Sequence, residues 1–127
     1  KIPLNNIIRM QIKKTAKLFI FCCVTPVLIS KKHKQINSFK NLGSDIGLLF
    51  QIVDDLIDYR GNSKVAGKKT KKDLKKGKAT LISLLGYKKT IKYKNKLKLN
   101  IFKKIRKFRN KSNDLKNTIN YIANRTK

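Results

Sequence analysis

Between Asn37 and Tyr59 the apolar residues Phe39, Leu42, Ile46, Leu49, Phe50, Val53 and Ile57 recur at steps of three and four, or close multiples of them. Steps of that size gather side chains on one face of an α-helix, whose period is about 3.6 residues. No segment shows the two-residue alternation of a half-buried strand with comparable strength, so the expected class is all-α. Gly43 and Gly47 lie four apart on this helix, where small residues let a second helix approach closely. A helix patterned in this way is expected to be buried on most sides.

The flanking sequence repeats the theme. From Leu4 to Val24 the residues Leu4, Ile7, Ile8, Ile12, Leu18 and Phe21 mark an amphipathic helix that Pro26 is expected to close. Gly61 to Gly77 carries three glycines, Ser63, Thr70 and a series of lysines, and reads as a loop long enough to be functional. Helical patterning resumes over Leu81 to Tyr93, then over Lys96 to Phe108 with Leu97, Ile101, Ile105 and Phe108 on one face, and ends with Asn113 to Asn124. A helical bundle follows, and 127 residues suffice for one domain or part of one. Lys1 is not an initiator residue, so further sequence is expected upstream.

Charge narrows the function classes less than its size suggests. Lys and Arg number 33 against 6 acids, a formal +27, which fits nucleic acid, an anionic membrane or a polyanionic small substrate. Lys, Asn and Ile are abundant from end to end, the mark of a codon bias that raises charge without selection for binding. The neighbouring Cys22 and Cys23 cannot form a disulfide scaffold; in an apolar run they read as buried thiols, in keeping with a reducing, cytoplasmic setting. The apolar run Leu18 to Ile29, interrupted at Thr25-Pro26, is too short to span a bilayer, which needs about 20 residues. No signal-peptide pattern, metal-type Cys/His spacing, P-loop or dinucleotide glycine fingerprint is present.

The acids are distributed unevenly. There is no glutamate, and Asp54, Asp55 and Asp58 fall within FQIVDDLIDY. At about 100° per residue, Asp54 and Asp58 share one helix face, with Asp55 beside them. They stand in the last turns of the helix, where the dipole disfavours negative charge unless a cation compensates. Mg²⁺, which prefers carboxylate and phosphate oxygens, is one such cation. The other reading is a solvated acidic face neutralised by basic residues. Lysines on both sides of the cluster, Lys14 before Thr15, Lys68 after Gly67 and Lys78 after Gly77, favour the first, because acid for metal and lysine for phosphate is what ionising a diphosphate requires.

In order, the chain carries KTA at Lys14 to Ala16, GLLFQIVDDLID at Gly47 to Asp58, GKKTKKD at Gly67 to Asp73, GKATLISLLG at Gly77 to Gly86, and the ending YIANRTK. In order, spacing and residue type this series resembles the second half of bacterial farnesyl and geranylgeranyl diphosphate synthases, members of the polyprenyl synthetase family. The resemblance spans nearly the whole chain. It implies the C-terminal half of the isoprenoid synthase fold, with residues 1–127 forming the C-terminal portion of one polyprenyl synthetase domain. It further implies prenyl transfer: an allylic diphosphate ionises, the double bond of isopentenyl diphosphate attacks, and a proton leaves.

The resemblance also implies roles for residues. Asp54, with Asp55 and Asp58, would hold Mg²⁺ against the allylic diphosphate; Lys14 and Lys68 would contact that diphosphate, as would Lys78 from a phosphate-facing segment. Thr15 and Gln51 would turn oxygen dipoles toward the allylic cation. Arg125 and Lys127 match a basic tail that closes near isopentenyl diphosphate, and relatives are commonly homodimers. Ala16 stands where short-chain relatives often have Gly, and Ile82 where many have Pro. The family's first aspartate-rich motif, arginine pair and isopentenyl-binding residues have no counterpart here, so the chain alone is expected to be inactive.

Other readings stay in view. Phe19 and Phe21 suit ordinary core or a prenyl tunnel; His33, among Lys31, Lys32 and Lys34, reads as exposed; Lys92 to Lys107 reads as a solvated helical face. A basic nucleic-acid-binding module explains the charge but not the aspartates, so neither nucleic-acid binding nor stable membrane insertion is expected. A non-catalytic subunit or decayed copy of a prenyl synthase is the third reading. Helices lacking half their partners are also expected to leave apolar faces exposed and to self-associate.

Overall fold

The computed structural model describes residues 3–65 and 80–126, with side chains given up to Gly61 and again from Thr80. Every regular element among them is helical, as expected. Helix α1 (Leu4–Gln11) runs into a π-helical segment (Ile12–Ala16) and on into α2 (Lys17–Ile29). A 3₁₀ turn (His33–Gln35) reverses the chain into α3 (Ile36–Val65). Then come α4 (Leu81–Leu85), α5 (Tyr87–Ile105), a 3₁₀ stretch (Arg106–Ser112) and α6 (Asn113–Asn124).

The core lies where α3 meets α5 and α6. Leu49 and Ile52 of α3, Leu81 of α4, Ile101 and Ile105 of α5 and Ile119 of α6 are fully buried. The seam predicted on α5 is therefore the buried one, while Phe108 lies beyond the helix, half-buried against Phe39 with ring centroids 5.7 Å apart. The lysines Lys92, Lys96, Lys103 and Lys104 face solvent, and Lys104 pairs with Asp45 at 2.6 Å.

On its other side α3 packs against α2, and the two glycines set the distance. A Cβ at Gly43 would lie 2.7 Å from the Ile20 Cα, and one at Gly47 would lie 2.5 Å from the Ala16 Cα. No side chain fits there, so the two backbones touch. Ala16, fully buried, fills the remaining gap.

Several expectations need correction. Pro26 does not close the first helix, which runs on to Ile29; the Thr25 hydroxyl bonds the Phe21 carbonyl one turn back and Ser30 bonds the Pro26 carbonyl. The helix over Asn37 to Tyr59 continues through exposed Gly61 to Val65, so the expected loop begins later; residues 66–79 lie outside the described residues. Leu81 to Tyr93 is two helices, because Gly86 adopts φ +78 and turns the chain. The segments expected as Leu81–Tyr93 and Lys96–Phe108 meet instead in one helix, α5, which a 3₁₀ stretch containing Arg109 at φ 49 follows. The last helix, Asn113–Asn124, has its expected bounds.

Burial on α2 also departs from expectation. Its residues are apolar around the whole circumference, yet Val27 alone is buried. Leu18, Phe21 and Ile29 are 68, 65 and 77% exposed, so Phe21 is not core. Cys22 is exposed and Cys23 half-buried, neither in a disulfide; burial, then the neighbouring Cys22, pushes the Cys23 thiol above its ordinary pKa. His33 is exposed. No helix among the described residues is long and apolar enough to cross a membrane.

Candidate functional site

Gly43, Gly47, Gln51 and Asp55 follow one another along one face of α3 at four-residue steps, one turn apart. The first two bring α2 close; the second two meet what precedes it. Thr15, in the π segment, donates from Oγ1 to Gln51 Oε1 at 2.7 Å. Gln51 Nε2 donates to Asp55 Oδ1 at 3.1 Å, and Gln11 Nε2, at the end of α1, donates to Asp55 Oδ2 at 2.7 Å. A chain of polar contacts thus joins α1, the π segment and α3 across a helix pair that is otherwise apolar. The amide of Gln51 is fixed from both ends, its nitrogen by Asp55 and its oxygen by Thr15. π segments add a residue to a helix and are frequent at functional sites; this one carries Lys14 and Thr15.

The three aspartates do not converge. Asp55, one residue on from Asp54, faces the α1 side, where Gln11 and Gln51 occupy one carboxylate oxygen each. Burial raises its pKa above the usual carboxylate value, against the lowering effect of the Gln51 and Gln11 hydrogen bonds and the Lys14 ammonium; Asp58 adds to the rise. Asp54 faces away, its side chain 41% exposed, in an ion pair with Arg125. Asp58, one turn further, is exposed. Among the described residues no three His, Cys, Asp or Glu side chains are gathered to hold a metal.

Arg125 follows α6 in extended backbone, with φ −61 and ψ 148. Its guanidinium carbon lies 4.1 Å from the Phe50 ring centre, and its Nε is buried without an acceptor. Phe50 in turn packs on Phe19 with centroids 5.4 Å apart. Beside this corner lies a cavity of about 210 Å³ lined by Val53, Leu56, Ile57, Arg60, Lys94 and Arg125 among others. Lys94 donates to the Ala123 carbonyl at 3.0 Å; burial, then Lys98 and Arg60, lower its pKa.

The structure therefore brings Thr15, Gln51 and Asp55 together, with exposed Lys14 close enough to act on Asp55, and separately pairs Asp54 with Arg125. Asp58 stands apart in solvent, and Lys68, Lys78 and Lys127 lie outside the described residues. Sequence reasoning missed Gln11. It lies four residues after Ile7, and both are buried, so a polar residue on the apolar face of α1 was the available signal.

A family model described as polyprenyl synthetase matches residues 2–122 and stops short of Arg125. The chain is 30% identical to a farnesyl diphosphate synthase of Micrococcus luteus, an alignment covering 99% of this chain and 44% of that protein. It is 34% identical to a geranylgeranyl diphosphate synthase of Cyanophora paradoxa, covering 91% and 39%, and 33% identical to a farnesyl diphosphate synthase of Bacillus subtilis, covering 67% and 29%. The chain spans less than half the length of each of these curated relatives.

Proposed function

The chain belongs to the polyprenyl synthetase family, and from that premise we propose that it supplies the half of a trans-prenyl diphosphate synthase site that binds and ionises an allylic diphosphate. The observation that carries this reading is the fixed chain of hydrogen bonds through Thr15, Gln51, Asp55 and Gln11. It places oriented oxygen dipoles next to an acidic group, within reach of the Lys14 charge.

The donor set suits Mg²⁺ in part. Asp54 already attracts a cation, Arg125, and keeps carboxylate surface open to solvent, while Asp58 lies one turn away in solvent. Two carboxylates with retained waters and a substrate phosphate are an ordinary Mg²⁺ environment. When bound, the ion neutralises charge developing on the departing diphosphate. Asp54 and Asp58 are the metal carboxylates on this reading, and Asp55, with both oxygens occupied, positions Gln51. The oxygens of Thr15 and Gln51 face the allylic cation, and Lys14 contacts the diphosphate, joined by Lys68 and Lys78. The substrates are an allylic diphosphate and isopentenyl diphosphate, the full-length assembly is a homodimer, and the setting is cytoplasmic. Residues 1–127 form the C-terminal portion of one domain, and the chain alone does not turn over.

Calorimetric titration with inorganic pyrophosphate tests the reading. Binding is expected to require Mg²⁺ and to vanish in Asp54→Asn. Binding that ignores Mg²⁺ but falls steeply with salt, and is shared by unrelated nucleic acids, would transfer the chain to the counterion-release class.

A further inference from the structure

We propose that Arg125 is a built-in competitor for the metal at Asp54, so that a divalent cation gains its full hold on this carboxylate only after the C-terminal arginine has left it. The inference rests on Asp54 being a metal carboxylate, as argued above, but concerns a residue beyond the stretch that the family model matches.

Three observations carry it. Arg125 holds the carboxylate that a cation must reach, in an ion pair from Nη2 to Oδ1. A guanidinium on one carboxylate oxygen and a divalent ion on the other repel each other, so each weakens the other's hold. Second, the arginine is held imperfectly: its side chain is only 17% exposed, and its Nε is buried with no acceptor. A buried donor without a partner is costly, and release into water removes that cost. Third, little else has to move. Arg125 stands just past the end of α6 in extended backbone, and Phe50 offers its guanidinium an aromatic face 4.1 Å away but no hydrogen-bond acceptor. Rotation about the arginine side chain is enough to open the carboxylate.

The exchange imposes an order. While Arg125 neutralises Asp54 through one oxygen, each is held back: the carboxylate, still partly open to solvent, takes a metal weakly, and the arginine is engaged away from an incoming anion. Arrival of the metal frees a cationic side chain at the mouth of the same site, ready for a phosphate group. Cation first and anion second is then built into the pair.

The experiment uses the full chain, with Mg²⁺ affinity measured by calorimetry and the Arg125 Nε–H signal followed by NMR of ¹⁵N-arginine-labelled protein. Arg125→Gln removes the competitor, and a partly exposed ion pair of this kind predicts Mg²⁺ binding about fivefold tighter than in the unaltered chain. In the unaltered chain, saturating Mg²⁺ is expected to move the Arg125 signal out of the Phe50 ring-current field; Asp54→Asn is expected to do so without Mg²⁺. Equal or weaker Mg²⁺ affinity in Arg125→Gln, or an Arg125 signal unmoved by Mg²⁺, overturns the competition while leaving Asp54 as a ligand if Asp54→Asn still loses the ion. Absence of Mg²⁺ binding in both the unaltered chain and Arg125→Gln overturns the metal assignment together with the competition.

Discussion

Helices α2 and α5 invert the usual relation between composition and burial. α5 is dense in lysine, yet its Leu97, Ile101 and Ile105 seam is sealed in the core along with Thr90, whose hydroxyl bonds the Gly86 carbonyl at 2.9 Å. α2 is apolar on every side, yet Leu18, Phe21 and Ile29 stand mostly in water. A narrow stripe specifies one partner surface, and the polar remainder is free to be solvated. A helix apolar all round asks for partners on several sides, and here it has α3. Periodicity thus predicted burial on α5 but not on α2, whose periodic residues Leu18 and Phe21 are exposed.

Substitutions break this comparison at different points. The largest effect is expected in α5: Ile101→Ala deletes fully buried volume and should cost about 3–4 kcal/mol of unfolding free energy in denaturant titrations. If that loss is below about 1 kcal/mol, the α3–α5–α6 core is not the cooperative unit described. Next is the tight side of α2. Gly47→Ala places a methyl 2.5 Å from the Ala16 Cα, so backbone must shift, at a cost of about 2–3 kcal/mol; a neutral result would show that α2 is not held against α3 at this spacing.

The polar seam between these helices gives a weaker, pH-dependent effect. Asp55 has a folded-state pKa raised above its unfolded value, so its contribution to stability is fully present below the unfolded pKa and is lost as pH rises through the folded one. The stability of the unaltered chain relative to Asp55→Asn should therefore decline as the pH rises above the ordinary aspartate value of about 4. A rising difference would mean that the Gln11 and Gln51 hydrogen bonds outweigh burial. The smallest effect belongs to the open side of α2: Phe21→Ser should change stability by no more than about 0.5 kcal/mol, while sedimentation velocity shows less self-association. A loss as large as that of Ile101→Ala would mean that Phe21 is covered in solution.

The same contrast explains what could be read from the sequence. The close approach at Gly43 and Gly47, the α5 seam and the bounds of α6 each depend on local spacing, and each is legible. Thr15, Gln51 and Asp54 stand out through ordered motifs, although the contact between Thr15 and Gln51 depends on two helices lying antiparallel. Pro26 misleads because the rule that proline ends a helix does not hold here, where α2 runs on to Ile29. Gln11 stays hidden because one amide among apolar neighbours resembles a surface position until Asp55 is placed opposite. The meeting of Arg125 with Asp54 spans 71 residues, and no local pattern encodes it.

The π segment has a further consequence. It holds one residue more than an α-helical ladder accommodates, which shifts the angular phase of the residues before it by about 100° relative to those after it. Here it begins just after Gln11, which grips Asp55, and contains Thr15, which grips Gln51. One widened turn therefore spans the interval between the two grips on α3.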